Sequence, residues 1–215
     1  MFLSKRISMP CHAATMRRAR GFTMIEVMIT VLVLSVGMLA IVSLQATAKR
    51  STHQAWQRSL AVNLADSIIE RIRINPSQAA SYATGLGAAA LGGGKKGTPS
   101  TNCRTNACDA DKVVAWDLWQ WEQMLDGAAA VDPGNKKAGG LIEPHGCIVF
   151  EAAAGGSTPN TGKIRVFVTW HGLTETTDAV QDANLVCGPD DADSQATRRQ
   201  VVASSYVVNE GELNP

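Results

Sequence analysis

The sequence predicts an α+β protein in which one long N-terminal helix packs on a C-terminal head built around an antiparallel sheet. Three observations carry this. A run of 23 apolar-rich residues, from Phe22 to Leu44, follows a basic leader. The helical pattern continues beyond it with apolar residues at three- and four-residue spacing. The remainder reads as short β-prone runs separated by turn residues, and helix first with strands afterwards is the pattern of an α+β head.

The leader, residues 1–21, carries Lys5, Arg6, Arg17, Arg18 and Arg20 and no acid. The whole chain has a formal net charge of +1, but without those five residues fifteen basic side chains face nineteen acidic ones. A mildly acidic body gives no reason to expect polyanion binding. An apolar content of 45% excludes a wholly disordered chain. Met16 offers an alternative start with a short leader, which would leave out Cys11 and His12.

Residues 22–44 form the membrane-spanning half of the helix. At about 1.5 Å per residue they reach about 34 Å, enough for a hydrocarbon core of about 30 Å. Basic residues on the N-terminal side place that end in the cytoplasm. Ala46-Thr47-Ala48 resembles a signal-peptidase site, but a secretory signal usually has a shorter apolar region. A conventional secreted protein would begin near Lys49. Glu26 is the one acid inside the run. An intramembrane carboxylate is costly and by default awaits a cationic partner. Gly37 offers a place for local melting or a bend.

Residues 45–75 form the amphipathic half. Leu60, Ala61, Leu64, Ala65, Ile68 and Ile72 recur on one face, and Arg58, Asp66, Glu70 and Arg73 fill much of the rest. Asn75-Pro76 ends the helix, because a residue before proline disfavours the helical region. Residues 76–215 form the head. Its first part, 77–110, is small, polar and Gly-rich. Gly92-Gly93-Gly94-Lys95-Lys96-Gly97-Thr98 resembles a phosphate-binding loop only superficially, since it lacks the G-K-[S/T] ending and Pro99 stands where a helix should start, so a flexible loop is expected. From Asp111 to Leu125 a second helix is expected, with Asp111 as its cap and Val114, Leu118, Trp121 and Leu125 on one face. Trp116 and Trp119 are expected to pack against the sheet, with an adhesive or sugar-binding surface as the rival role. Strands are expected at Gly146 to Glu151, at Lys163 to Trp170 with Ile164, Val166, Val168 and Trp170 on one face, and at Gln200 to Val208. Turn signals lie at Gly155-Gly156, Gly172 and Gly188-Pro189.

Four cysteines remain outside the leader, Cys103, Cys108, Cys147 and Cys187, and an even number fits disulfides in an oxidising compartment. Three pairings are possible. Proximity favours Cys103 with Cys108, leaving Cys147 with Cys187. A zinc site is disfavoured by the C-x4-C spacing and the lack of a second close pair. His53, His145 and His171 are scattered. Asp190-Asp191-Ala192-Asp193 reads as a solvated acidic turn before it reads as a calcium loop. No G-x-S-x-G, nucleophile with base or dinucleotide fingerprint is present, so no enzyme, cofactor or metal is expected.

Arg17-Arg18-Ala19-Arg20-Gly21-Phe22-Thr23-Met24-Ile25-Glu26 resembles the class III signal of type IV prepilins and pseudopilins. The resemblance implies cleavage after Gly21 by a prepilin peptidase, methylation of the new N-terminus at Phe22, and a role for Glu26 in assembly. The physical logic is that cleavage leaves an amine beside an apolar helix, where a carboxylate of a neighbouring subunit pairs with it in low dielectric and sets the register. Further on, Asn63-Leu64-Ala65-Asp66-Ser67-Ile68-Ile69-Glu70-Arg71-Ile72-Arg73-Ile74-Asn75-Pro76 resembles the helix end of the PilV family of minor pilins, the type IV pilus modification proteins. Asp117-Leu118-Trp119-Gln120-Trp121 and Val166-Phe167-Val168-Thr169-Trp170 match that family's D-L-x-x-W and V-x-W outline. The resemblance implies a pilin fold and a single-pass inner-membrane protein with its head in the periplasm. It further implies a part in priming pilus assembly, and the major pilin, other minor pilins and a prepilin peptidase as partners. A minor pseudopilin of a type II secretion system shares the N-terminal logic. An adhesin or DNA-uptake pilin is a further alternative, although only Lys95-Lys96, Lys136-Lys137 and Arg198-Arg199 offer small basic patches.

Overall fold

The computed structural model describes residues 21–128, 130–134, 139–154, 158–175, 186–189 and 196–213. Four of the segments singled out above lie outside those residues: the basic leader up to Arg20, Lys136-Lys137, the Gly155-Gly156 turn and the Asp190-Asp191-Ala192-Asp193 turn. The chain divides into two units, Met1–Thr47 and Ala48–Pro215.

Helix α1 runs over Met24–Ile74 and continues through Gly37 without a break. In the first unit its apolar side chains are all exposed, Met24 at 84% and Leu44 at 72% among them. A helix that is apolar all round, with none of the described residues covering it, suits lipid or the company of other helices. In the second unit α1 buries Gln57, Ala61, Leu64, Ala65, Ile68, Ile69 and Ile72. The stripe follows the expected spacing and faces one core shared with Val114, Leu118, Trp121 and Leu125, with Ile148 and with Ile164, Val166, Val168 and Trp170. After Ile74 the chain turns at Asn75 and enters a short 3-10 helix, Pro76–Tyr82.

Helix α2 spans Ala110–Leu125, with Asp109 at its cap position. The cap expected at Asp111 is therefore displaced: Asp111 lies in the first turn, where its charge suits the helix dipole. Asp109 makes no side-chain cap bond and pairs instead with Lys112 at 2.7 Å.

The sheet has three antiparallel strands in the order β1-β2-β3, formed by His145–Ala152, Gly162–His171 and Arg198–Val207. Strand β1 pairs with β2 from His145 opposite Thr169 to Ala152 opposite Gly162. Strand β2 pairs with β3 from Gly162 opposite Val207 to His171 opposite Arg198. Gly146 allows Trp121 to lie directly on β1, because a Cβ there would sit 2.5 Å from the indole. Alternation predicts one covered face for β2, yet Phe167 and Thr169 on its other face are also buried. A second small cluster of Ala90, Cys147, Phe167 and Cys187 covers them. The outer edge of β1 is occupied by the chain around Leu91, whose N–H donates to the Gly146 carbonyl while Gly146 N–H donates back, both at 2.8 Å.

Candidate processing and assembly site

Gly21, Phe22 and Thr23 precede the first helical residue. Thr23 closes the helix end: its hydroxyl oxygen accepts from the Glu26 N–H at 3.3 Å, and its carbonyl accepts from Glu26 at 3.1 Å and Val27 at 3.3 Å. Thr23-Met24-Ile25-Glu26 is thus the T-x-x-E pattern of a capping box, a sequence signal for the helix start that the apolar run alone does not carry. Glu26 lies in the first turn, exposed, where the helix dipole favours a negative charge. Gly21, Phe22 and Glu26 are therefore grouped within one turn of a helix start. All three are exposed.

The two motif segments of the amphipathic half and α2 meet in one bonded cluster. Arg71 donates to Asp117 and to Gln120, each at 2.7 Å. The Tyr82 hydroxyl donates to the other Asp117 oxygen at 2.7 Å. Burial, reinforced by the bond to Asp117, pushes the Tyr82 phenol well above its ordinary range, so it remains a donor. The Asn75 amide donates to the Ala110 carbonyl at 3.0 Å, linking the end of α1 to the start of α2. Trp121 donates its indole N–H to the Leu64 carbonyl at 2.9 Å. Arg71 is therefore no solvated surface charge, whereas Glu70 and Arg73 pair on the exposed side and Arg73 also reaches the Ser205 hydroxyl.

The Gly-rich segment is not a free loop around Gly92. The Glu122 carboxylate, fully buried, accepts from the backbone N–H groups of Gly92 at 3.0 Å, Lys95 at 2.9 Å and Lys96 at 2.7 Å. Asp126 accepts from Gly93 at 2.8 Å. The backbone cradle is an anion nest whose anion is supplied by α2 itself. Gly92 adopts φ +129°, and a Cβ there would collide with the Pro144 carbonyl oxygen, so glycine is required.

Trp116, buried, and Trp119, half-buried, both lie outside the core cluster that faces the sheet. Their rings stand 5.0 Å apart at 42°, and with Arg71, Asn102, Arg104 and Met124 they line a surface pocket of about 450 Å³. The reason is their spacing on α2, which puts them on the flank away from Leu118 and Leu125. Cys103 is bonded to Cys108, and Cys147 to Cys187, with Cα separations of 5.6 and 5.8 Å. His171 pairs with Glu143 at 2.8 Å. Burial, with Lys95 and Arg198 nearby, lowers the affinity of His145 for a proton. His53 lies beside Trp56. Arg198 is buried and donates to the Pro189 carbonyl, so the Arg198-Arg199 pair is not an open basic patch. Among the described residues no group of three His, Cys, Asp or Glu side chains is placed to hold a metal.

Two family models match the chain. One, described as the prokaryotic N-terminal methylation motif, matches residues 16–42. The other, described as Tt1218-like, type IV pilin Tt1218, matches residues 43–119, a stretch that contains the amphipathic half of α1, the Gly92 cradle and most of α2. No curated protein and no solved structure matches. The long apolar helix leading into a small three-stranded antiparallel sheet is an α+β architecture consistent with the pilin fold. Together with the two matches it supports a type IV pilin bearing the N-terminal methylation motif. That motif implies processing by prepilin peptidase, and with the apolar helix it points to membrane anchoring and incorporation into a pilus with other pilins.

Proposed function

We propose that the chain is a minor type IV pilin of the PilV kind, joining a small inner-membrane complex that primes pilus assembly. Prepilin peptidase cuts after Gly21 and methylates the amine of Phe22. The apolar segment stores the subunit in the membrane with the head on the periplasmic side, and later packs among the helices of other pilins. Glu26 of one subunit receives the amine of its neighbour and sets the register. The observation that carries this reading is the exposed apolar helix that opens on Gly21, Phe22 and a Thr23-capped Glu26. The bonded cluster of Arg71, Asp117, Tyr82 and Gln120 supports the finer assignment, because it joins the two segments that resemble that family.

Mass spectrometry of the mature N-terminus, in cells with and without the peptidase, tests it. Methylated Phe22 is expected as the first residue only when the peptidase is present. Any other first residue overturns the reading. Co-purification with pilus subunits is expected, and recovery with secretin-system subunits alone would assign the chain to a pseudopilin set.

A further inference from the structure

Gln57 occupies the first position of the core stripe of α1, one turn before Ala61, where every other stripe residue from Ala61 to Ile72 is apolar. It is 1% exposed, yet neither its Nε2 nor its Oε1 has a partner among the described residues. An unmet buried amide destabilises the fold, a cost that a leucine of similar size would avoid. Gln57 opens into a cleft of about 400 Å³, within the usual size of ligand pockets, bounded by Ser51, Gln54 and Arg58 of α1 and by Trp170, Gln200 and Val201 of the sheet. Gln200 brings a second buried oxygen, Oε1, that also lacks a partner among the described residues. Arg58 is exposed at the rim, and no acid is among the described lining residues.

These groups specify the occupant by their chemistry. Two amide oxygens call for donors, and one amide nitrogen calls for an acceptor. A phosphate or a lone carboxylate offers acceptors alone and leaves both oxygens unmet. An extended peptide offers N–H and C=O groups alternately along its length. Arg58 at the mouth suits an acidic side chain on that peptide. We propose that the cleft receives an extended, carboxylate-bearing segment of a neighbouring pilin subunit, whose main chain pairs with the Gln57 carboxamide and with Gln200 Oε1 while its acid meets Arg58. This docking contact rests on the pilin reading above and adds to it a head contact separate from the helix packing.

The test uses the full chain in its own cells, with a photo-crosslinking residue at Ser51 on the cleft wall and, as a control, at Ser204 on the exposed face of β3. The expected result is a Ser51 adduct that maps to an Asp- or Glu-containing peptide of another pilin, with no such adduct from Ser204. Gln57→Leu is expected to lower that adduct about tenfold, the loss of roughly one to two hydrogen bonds, while raising the melting temperature of the head by about 3 °C. Arg58→Glu, at an exposed position that leaves the core alone, is expected to lower the adduct to a similar degree. If Gln57→Leu and Arg58→Glu leave the adduct unchanged, or if Ser51 labels lipid alone or nothing, the cleft is solvent-filled and the inference falls. The mature N-terminus is measured in the same samples. Cleavage after Gly21 without the adduct removes this inference and leaves the pilin reading standing, whereas failure of cleavage removes that reading itself.

Discussion

Asp117 satisfies two groups at once, the Arg71 guanidinium and the Tyr82 hydroxyl, and its own side chain is only 10% exposed. Truncating it leaves a cation and a phenol without their acceptor in a partly dry site. Asp117→Ala is expected to cost about 3 kcal/mol, read as a lower denaturation midpoint followed by tryptophan fluorescence. An effect below 0.5 kcal/mol would show that the cluster is ornamental. The residues of this cluster stand out in the sequence as motif outlines, but their task does not. Arg71 and Asp117 lie 46 positions apart, and only tertiary packing brings them together. Glu122 makes the same point. Nothing local marks it as the anion for the cradle at Gly92–Lys96, so the Gly-rich run reads as slack chain when its partner is unknown. Trp116 and Trp119 mislead in the opposite sense, because aromatic content suggests the sheet-facing core, whereas Trp116 is buried outside that cluster and Trp119 is only half-buried.

At the scale of elements, α1 is the most legible part of the chain. Its apolar run, its later stripe and its stop at Asn75-Pro76 follow from composition, periodicity and proline sterics, all of them local. The strands are legible as strands, each within a few residues of its ends. What covers the far face of β2 is not, because the cover comes from the Ala90 and Cys187 segments, distant in sequence. Glu26 belongs to this scale too, since it sits at one helix start and its proposed role is to pair with another. Glu26→Ala removes the acid from the capping box but leaves Thr23 to hold the Glu26 position N–H through its hydroxyl, a local cost of a few tenths of a kcal/mol up to about 1 kcal/mol. Cleavage after Gly21 is therefore expected to stay near normal, while incorporation into pili falls severalfold in immunoblots of sheared filaments. Normal piliation by that variant would refute the register role.

For the molecule as a whole, the two disulfides differ in what they constrain. Cys147–Cys187 closes a separation of 40 residues and Cys103–Cys108 a separation of 5. Loop-closure entropy then gives about 4 kcal/mol for the former and about 2 kcal/mol for the latter. Replacing Cys147 and Cys187 together by serine is expected to lower the melting temperature of the head roughly twice as far as replacing Cys103 and Cys108, and calorimetry of the two variants decides it. Equal shifts would mean that the small cluster around Phe167 holds without its bond. The pairing that proximity favours coincides with the one in the structure, but its weight depends on the Phe167 face, which no spacing reveals. One last property follows from the burial along α1. Every buried residue of that helix lies from Gln57 onward. A truncated gene product starting at Ala48 would retain the entire stripe and both crosslinks while shedding all the grease, which makes a detergent-free recombinant fragment the natural material for crystals or spectra.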